Sequence, residues 1–169
     1  DDGNPNGSIG WDIATTADGG YALSGTNRIA GGLANAMVIK TDNNGNVQWA
    51  KSFESGSTDE SLGIIEDADS LVVIANQLGQ SASLYNGVIM KLNGSNGAVI
   101  WAKDYDIESK ANRPSAIFKT STGYGIDYYN DIGFSLTTPE QLIINTDKSG
   151  NPLSIFKVSD PVFRVPRGY

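Results

Sequence analysis

Apolar residues fall into short runs bounded by turn residues, and the runs recur. The first reads Met37-Val38-Ile39-Lys40-Thr41, then Asp42-Asn43-Asn44-Gly45-Asn46, then Val47-Gln48-Trp49-Ala50-Lys51. The second reads Val88-Ile89-Met90-Lys91-Leu92, Asn93-Gly94-Ser95-Asn96-Gly97-Ala98 and Val99-Ile100-Trp101-Ala102-Lys103. The third reads Leu142-Ile143-Ile144-Asn145-Thr146, Asp147-Lys148-Ser149-Gly150-Asn151 and Pro152-Leu153-Ser154-Ile155-Phe156. Each is a strand, a Gly-bearing turn and a returning strand, the strongest short-range hairpin pattern. Lys40 and Lys91 are 51 residues apart, and Thr41 and Thr146 are 105 apart. A repeat of about fifty residues marks a propeller, a solenoid or an array.

Each copy divides into four strands. The first has Ile13–Thr16, the turn Ala17–Gly20, Tyr21–Thr26, Ala36–Thr41 and Val47–Phe53. The second has Ile64-Ile65, the turn Asp67–Ser70, Leu71–Asn76, Gly87–Leu92 and Val99–Tyr105. The third has Ala116–Lys119, the turn Ser121–Gly123, Tyr124–Tyr128, Gln141–Thr146 and Leu153–Val158. The middle strands are apolar at consecutive positions, as in Leu71–Ala75, so both their faces need cover. A propeller blade between two neighbours meets that need. The fourth strand alternates: Val47, Trp49 and Phe53 share one face, as do Val99, Trp101 and Tyr105. These residues are expected to pack inward, with both tryptophans buried.

The expected fold is all-β: three four-stranded antiparallel repeats, each like a propeller blade. A closed threefold β-trefoil or β-prism is the alternative. Residues 1–9 read as an N-terminal extension, 10–158 as the three-repeat domain (about 10–55, 60–107 and 112–158), and 159–169 as a C-terminal tail. Single-chain propellers have about four to eight blades. Three blades leave an open wedge, which a longer chain or further copies would complete.

The segments Asp18-Gly19-Gly20-Tyr21-Ala22-Leu23-Ser24-Gly25-Thr26, Val38-Ile39-Lys40-Thr41-Asp42 and Gly45-Asn46-Val47-Gln48-Trp49-Ala50-Lys51 together resemble the β-propeller-type tandem repeats of secreted and surface proteins in bacteria and archaea. Copy two departs from the pattern with Asp69-Ser70-Leu71, and copy three has Ser154 at the tryptophan position. The resemblance spans roughly residues 10–158. It implies a fold, an extracellular setting and adhesion-type neighbours, and no enzymatic activity.

Composition narrows the chemistry. The 169 residues contain 20 Gly, no Cys and no His. Zinc sites of the usual types and histidine-based triads are therefore excluded. The net charge is −7 and uneven: residues 1–75 hold 11 acids and 3 bases (−8), residues 76–169 hold 8 acids and 9 bases (+1). An acidic chain without a basic stripe does not suit nucleic acid or an anionic membrane. The run Leu71–Ala75 is too short to insert in a bilayer. A first residue Asp1 reads as processing or a fragment.

Several positions invite a functional reading. Asp42 and Asn44 alternate oxygen ligands as a calcium loop does, which makes calcium the one cofactor suggested. The Gly and the terminal acid stand at the wrong places for an EF-hand, and a plain hairpin turn is the preferred reading. Tyr128, Tyr129 and Asp131, with Tyr124 and Phe134 nearby, offer stacking rings and hydrogen-bonding groups to a surface glycan. Asn6 and Asn93 head N-glycosylation sequons. In the tail, Val162, Phe163 and Val165 suit an added edge strand. Arg164 and Arg167 would then meet a neighbour's Glu66 or Asp67. The expected function is a non-catalytic extracellular structural protein that polymerises head to tail. It would be a subunit of a surface filament or layer, or a module of an adhesin. A carbohydrate-binding module is the alternative.

Overall fold

The computed structural model describes residues 7–28, 34–55, 58–78, 85–107, 111–131 and 140–158. The first copy forms β1 (Ser8–Thr15), β2 (Tyr21–Arg28), β3 (Ala34–Thr41) and β4 (Val47–Phe53). The second forms β5 (Asp59–Asp67), β6 (Ser70–Leu78), β7 (Tyr85–Asn93) and β8 (Val99–Tyr105). The third forms β9 (Ala111–Lys119), β10 (Gly123–Asp131), β11 (Glu140–Asp147) and β12 (Pro152–Val158). Each copy is its own antiparallel sheet with its strands in sequence order, an up-and-down blade. The three sheets stay separate and do not close, so the blade-like architecture holds and the closed threefold alternatives do not.

The turns follow from local chemistry. In the β3–β4 turn, Asp42 Oδ1 accepts the backbone N–H groups of Asn44 and Asn46, each at 2.8 Å. Asp147 does the same for Ser149 and Asn151, again at 2.8 Å. Gly45 and Gly150 then adopt φ of 84° and 76°, a region only glycine enters freely.

Cross-strand rows define the packing. Ile64 pairs with Val73, Val73 with Met90, and Met90 with Ala102. The equivalent row of the third blade is Ile117-Ile126-Ile144-Ile155. In the first blade it is Ile13-Leu23-Ile39-Ala50. Two cores result. One joins Ala22, Ala36 and Val38 of blade 1 to Ile64, Val73 and Met90 of blade 2. The other joins Val72, Ile74 and Ile89 to Tyr124, Ile126 and Ile144 of blade 3. Blade 2 is thus buried on both faces, and Leu71–Ala75 are all covered, as an uninterrupted apolar strand requires. The first strand of each blade crosses the preceding one: β5 packs on β1, β2 and β3, and β9 on β5, β6 and β7.

Three expectations need correction. The first strands of copies two and three are far longer than their apolar cores; in copy two, Asp59 and Ser61 are buried polar strand residues that periodicity passes over. A bulge lies between Lys40 and Thr41: Trp49 pairs with Lys40, but Thr41 pairs with Val47. The extra residue, Gln48, turns Val47 to the opposite face from Trp49, where it is 62% exposed. Val99 is likewise exposed, and Trp49, Trp101 and Phe53 are half-buried; among the expected inward residues only Tyr105 is fully covered.

Candidate assembly faces

The two blade-to-blade junctions repeat one contact. Trp49 and Lys51 of β4 lie over Gly97 in the next blade's β7–β8 turn. A methyl group there would sit 2.8 Å from atoms of both side chains. The indole N–H of Trp49 also donates to the Gly94 carbonyl at 2.9 Å. One blade on, Trp101 and Lys103 lie over Gly150 in the same way, with Trp101 ring atoms 2.8 Å from the position of a Cβ. Lys103 Nζ donates to Asn151 Oδ1 at 2.6 Å, and the Tyr105 hydroxyl donates to the Gly150 carbonyl. Burial, with help from the Asp147 charge, pushes the Tyr105 phenol up to about 12. The rule is that an outer-strand Trp-x-Lys of one blade covers a left-handed turn glycine of the next.

Charged groups lie within the blades and across the same junctions. Lys40 is 3% exposed, and its ammonium contacts both Asp18 oxygens (2.7 and 3.0 Å), the Thr41 carbonyl and Gln48 Oε1. The Lys40 bond holds the Asp18 carboxyl well below the usual carboxylate range. Lys91 takes the Lys40 position in blade 2 and donates to Asp67 Oδ2 and Tyr124 Oη, each at 2.9 Å. Tyr124 in turn donates to Asp67 at 2.8 Å. The Asp67 pKa is lowered chiefly by the Lys91 bond. Asp12 Oδ2 accepts the Ile64 N–H at 3.0 Å, and Glu66 accepts the Ala17 N–H through both oxygens at 2.9 and 3.0 Å. A cleft of about 670 Å³ opens beside these groups, lined by Asp18, Lys40, Gln48, Asp69, Asn93 and Ser95 among others. Its ammonium is already surrounded by acceptors.

The outermost faces differ. On blade 1, Ile13 is 58% and Tyr21 39% exposed, and Leu23, Met37 and Ile39 are half-covered. Their equivalents in blades 2 and 3 include Ile64, Val73, Met90, Ile126 and Ile144, all buried against the preceding blade. Among the described residues, nothing lies within 4 Å of the Cβ position of Gly45, the equivalent of Gly97 and Gly150. On blade 3, the outer face mixes Phe118, Ile143, Phe156 and Val158 with a polar group. There Asp127 accepts from Gln141 at 2.9 Å and from Ser115 at 2.6 Å. Asn145 and Ser154 stand where the earlier blades have Lys and Trp.

The sequence-derived sites fare unequally. Glu66 and Asp67 were expected to meet a neighbour's arginines, but their carboxylates are engaged inside the chain, joining blades 1 to 2 and 2 to 3. Val162, Phe163, Arg164, Val165 and Arg167 lie outside the described residues, as do Asn6 and Phe134. Tyr128 is 0% exposed, its ring laid against Gly87 between blades 2 and 3, so it is core and presents no face to a sugar. Burial pushes its phenol well above the usual value. Tyr129 is half-buried on the other face of β10, and the Asp131 side chain lies outside the described residues. Asp42 spends Oδ1 on two backbone N–H groups and Oδ2 on the Asn46 amide at 2.9 Å, which is turn geometry; the Asn46 side chain and N–H are what lower its pKa. Asn93 is half-buried and accepts from the Ser95 N–H and hydroxyl at 2.9 and 2.7 Å. The turn glycines and their Trp-x-Lys covers were missed as a pair. The recurrence of both at one spacing was the available signal.

The chain matches no protein-family model and no curated protein.

Proposed function

We propose that this protein is a non-catalytic structural protein of the cell exterior that works by assembling head to tail with copies of itself. It would serve as a subunit of a surface layer or filament, or as a module of an adhesin. One observation carries the reading. The row Ile13-Leu23-Ile39-Ala50 repeats, register for register, rows whose Ile64, Val73 and Met90 in blade 2 and Ile126 and Ile144 in blade 3 are buried against the blade before them. Among the described residues, nothing comparable covers it in blade 1. A sheet face built for burial and left open is an interaction surface. Charge favours a head-to-tail arrangement, because residues 1–75 carry 11 acids and 3 bases and residues 76–169 carry 8 acids and 9 bases. The extracellular setting rests on the resemblance of the repeats alone.

Sedimentation velocity over a wide concentration range, with electron micrographs of the same samples, tests the proposal. Mass that grows with concentration is expected. A chain that stays monomeric at its solubility limit sinks it.

A further inference from the structure

We propose that the surface covering blade 1 is blade 3 of a second copy, with Phe156 seated over Gly45, and that two copies joined this way close into one ring. This rests on the self-assembly reading above and specifies its contact.

The contact is read from the two junctions already in the chain. In both, a left-handed turn glycine is roofed by the outer strand of the preceding blade. Gly45 sits in the same turn as Gly150, also at positive φ (84° against 76°), and among the described residues nothing roofs it. On β12, Phe156 pairs with Ile143 as Lys51 pairs with Val38 and Lys103 with Ile89. Phe156 therefore occupies the place of the roofing lysines, and it is 53% exposed. Ser154 has lost the tryptophan, so the aromatic bulk has moved two residues along the same face. Phe118 and Val158 extend the apolar area of that face, at 45% and 38% exposed.

The polar partners also correspond. Asn46 is the equivalent of Asn151, which Lys103 contacts. Across the new seam, Asn46 of one copy would thus lie beside Phe156 of the other.

Closure follows from repeating one step. The blades fan outward from first strands that touch, β1 to β5 and β5 to β9. A seam that copies the internal junction keeps the same rotation. Two chains of three blades supply six, inside the about four to eight at which propellers close, whereas three chains supply nine. A head-to-tail contact whose rotation closes gives a ring and no free blade face, which narrows the reading above to a closed module and rules out a head-to-tail filament.

The test uses the full chain, with Gly45→Asn, Phe156→Ser, Asn46→Cys and Phe156→Cys as separate variants. Asn tolerates positive φ, so Gly45→Asn keeps the turn while placing a side chain where the ring would sit. Phe156→Ser changes an exposed residue and leaves both cores intact. Light scattering and sedimentation should give a wild-type dimer that grows no further. Each of the first two variants should weaken it by about tenfold or more. Because the chain has no cysteine of its own, oxidising a mixture of the two cysteine variants should yield a covalent dimer, and oxidising either alone should not. Assemblies insensitive to both substitutions, or a mixture that fails to cross-link, overturn this contact while self-assembly stands. Open-ended polymers overturn the closure. A wild-type chain monomeric throughout overturns the self-assembly reading as well.

Discussion

The indole N–H of Trp49 donates to the carbonyl of Gly94, 45 residues away, at 2.9 Å, and fastens the outer strand of blade 1 to a turn of blade 2. The side chain is only half-buried. Its value therefore divides between one hydrogen bond and the ring surface laid over Gly97. Trp49→Phe keeps most of the surface and loses the bond, and should cost about 1 kcal/mol. Trp49→Ala loses both and should cost about 2–3 kcal/mol, below the range for a fully buried tryptophan. Urea unfolding of the two variants distinguishes the contributions; equal losses would mean that the ring contact contributes nothing.

The three equivalent turn glycines should not respond alike to alanine. Gly45→Ala introduces only backbone strain, about 1–2 kcal/mol, because no described residue lies near its Cβ position in the single chain. Gly150→Ala adds a collision with the Trp101 ring at 2.8 Å and should cost at least about 1 kcal/mol more. The comparison is made at low protein concentration, where blade 1 is uncovered. Equal midpoints for both variants would contradict the packing over Gly150.

Tyr128 tests core against ligand site. Its hydroxyl is buried with no hydrogen-bond partner among the described residues. Replacing it by hydrogen removes an unsatisfied polar group, so Tyr128→Phe should be neutral or stabilise by up to about 1 kcal/mol. Tyr128→Ala should cost about 3–5 kcal/mol. A destabilised Tyr128→Phe, measured by thermal unfolding, would show that the hydroxyl does find a partner.

Two aspartates should give opposite pH signatures. The folded-state pKa of Asp67 is lowered, first by Lys91. Its contribution is present above the unfolded carboxylate value and is lost as pH falls through the folded one. The stability gap between wild type and Asp67→Asn should therefore narrow with acidification. Asp59 is raised, first by burial, against the Ser55 hydroxyl and N–H that bind it at 2.7 Å. Its burial costs least when it is protonated, so wild type should gain on Asp59→Asn as pH falls through the raised value. Unfolding curves from neutral pH down to below the ordinary carboxylate value read both gaps, Asp59 changing first and Asp67 only at the acidic end, and parallel behaviour of the two would refute the assignment.

What the sequence determined by itself is local and periodic. The three copies, the turns at Asp42–Asn46 and Asp147–Asn151, and the limits of β4 and β8 were legible, because turn chemistry acts over a few residues and repeats itself. The double-sided burial of Leu71–Ala75 was legible too, since no polar alternation was left to face water. Tertiary structure decided which blade faces are covered, because those contacts join residues about fifty positions apart. It turned Val47 outward through a one-residue bulge that leaves no mark on the hydrophobic pattern. It drew Glu66 and Asp67, free-looking acids in the sequence, into bonds with the neighbouring blades. It placed Tyr128 in the core and its neighbour Tyr129 on the opposite face, because adjacent strand residues face opposite ways and only the packing of one blade on another fixes which side is inside.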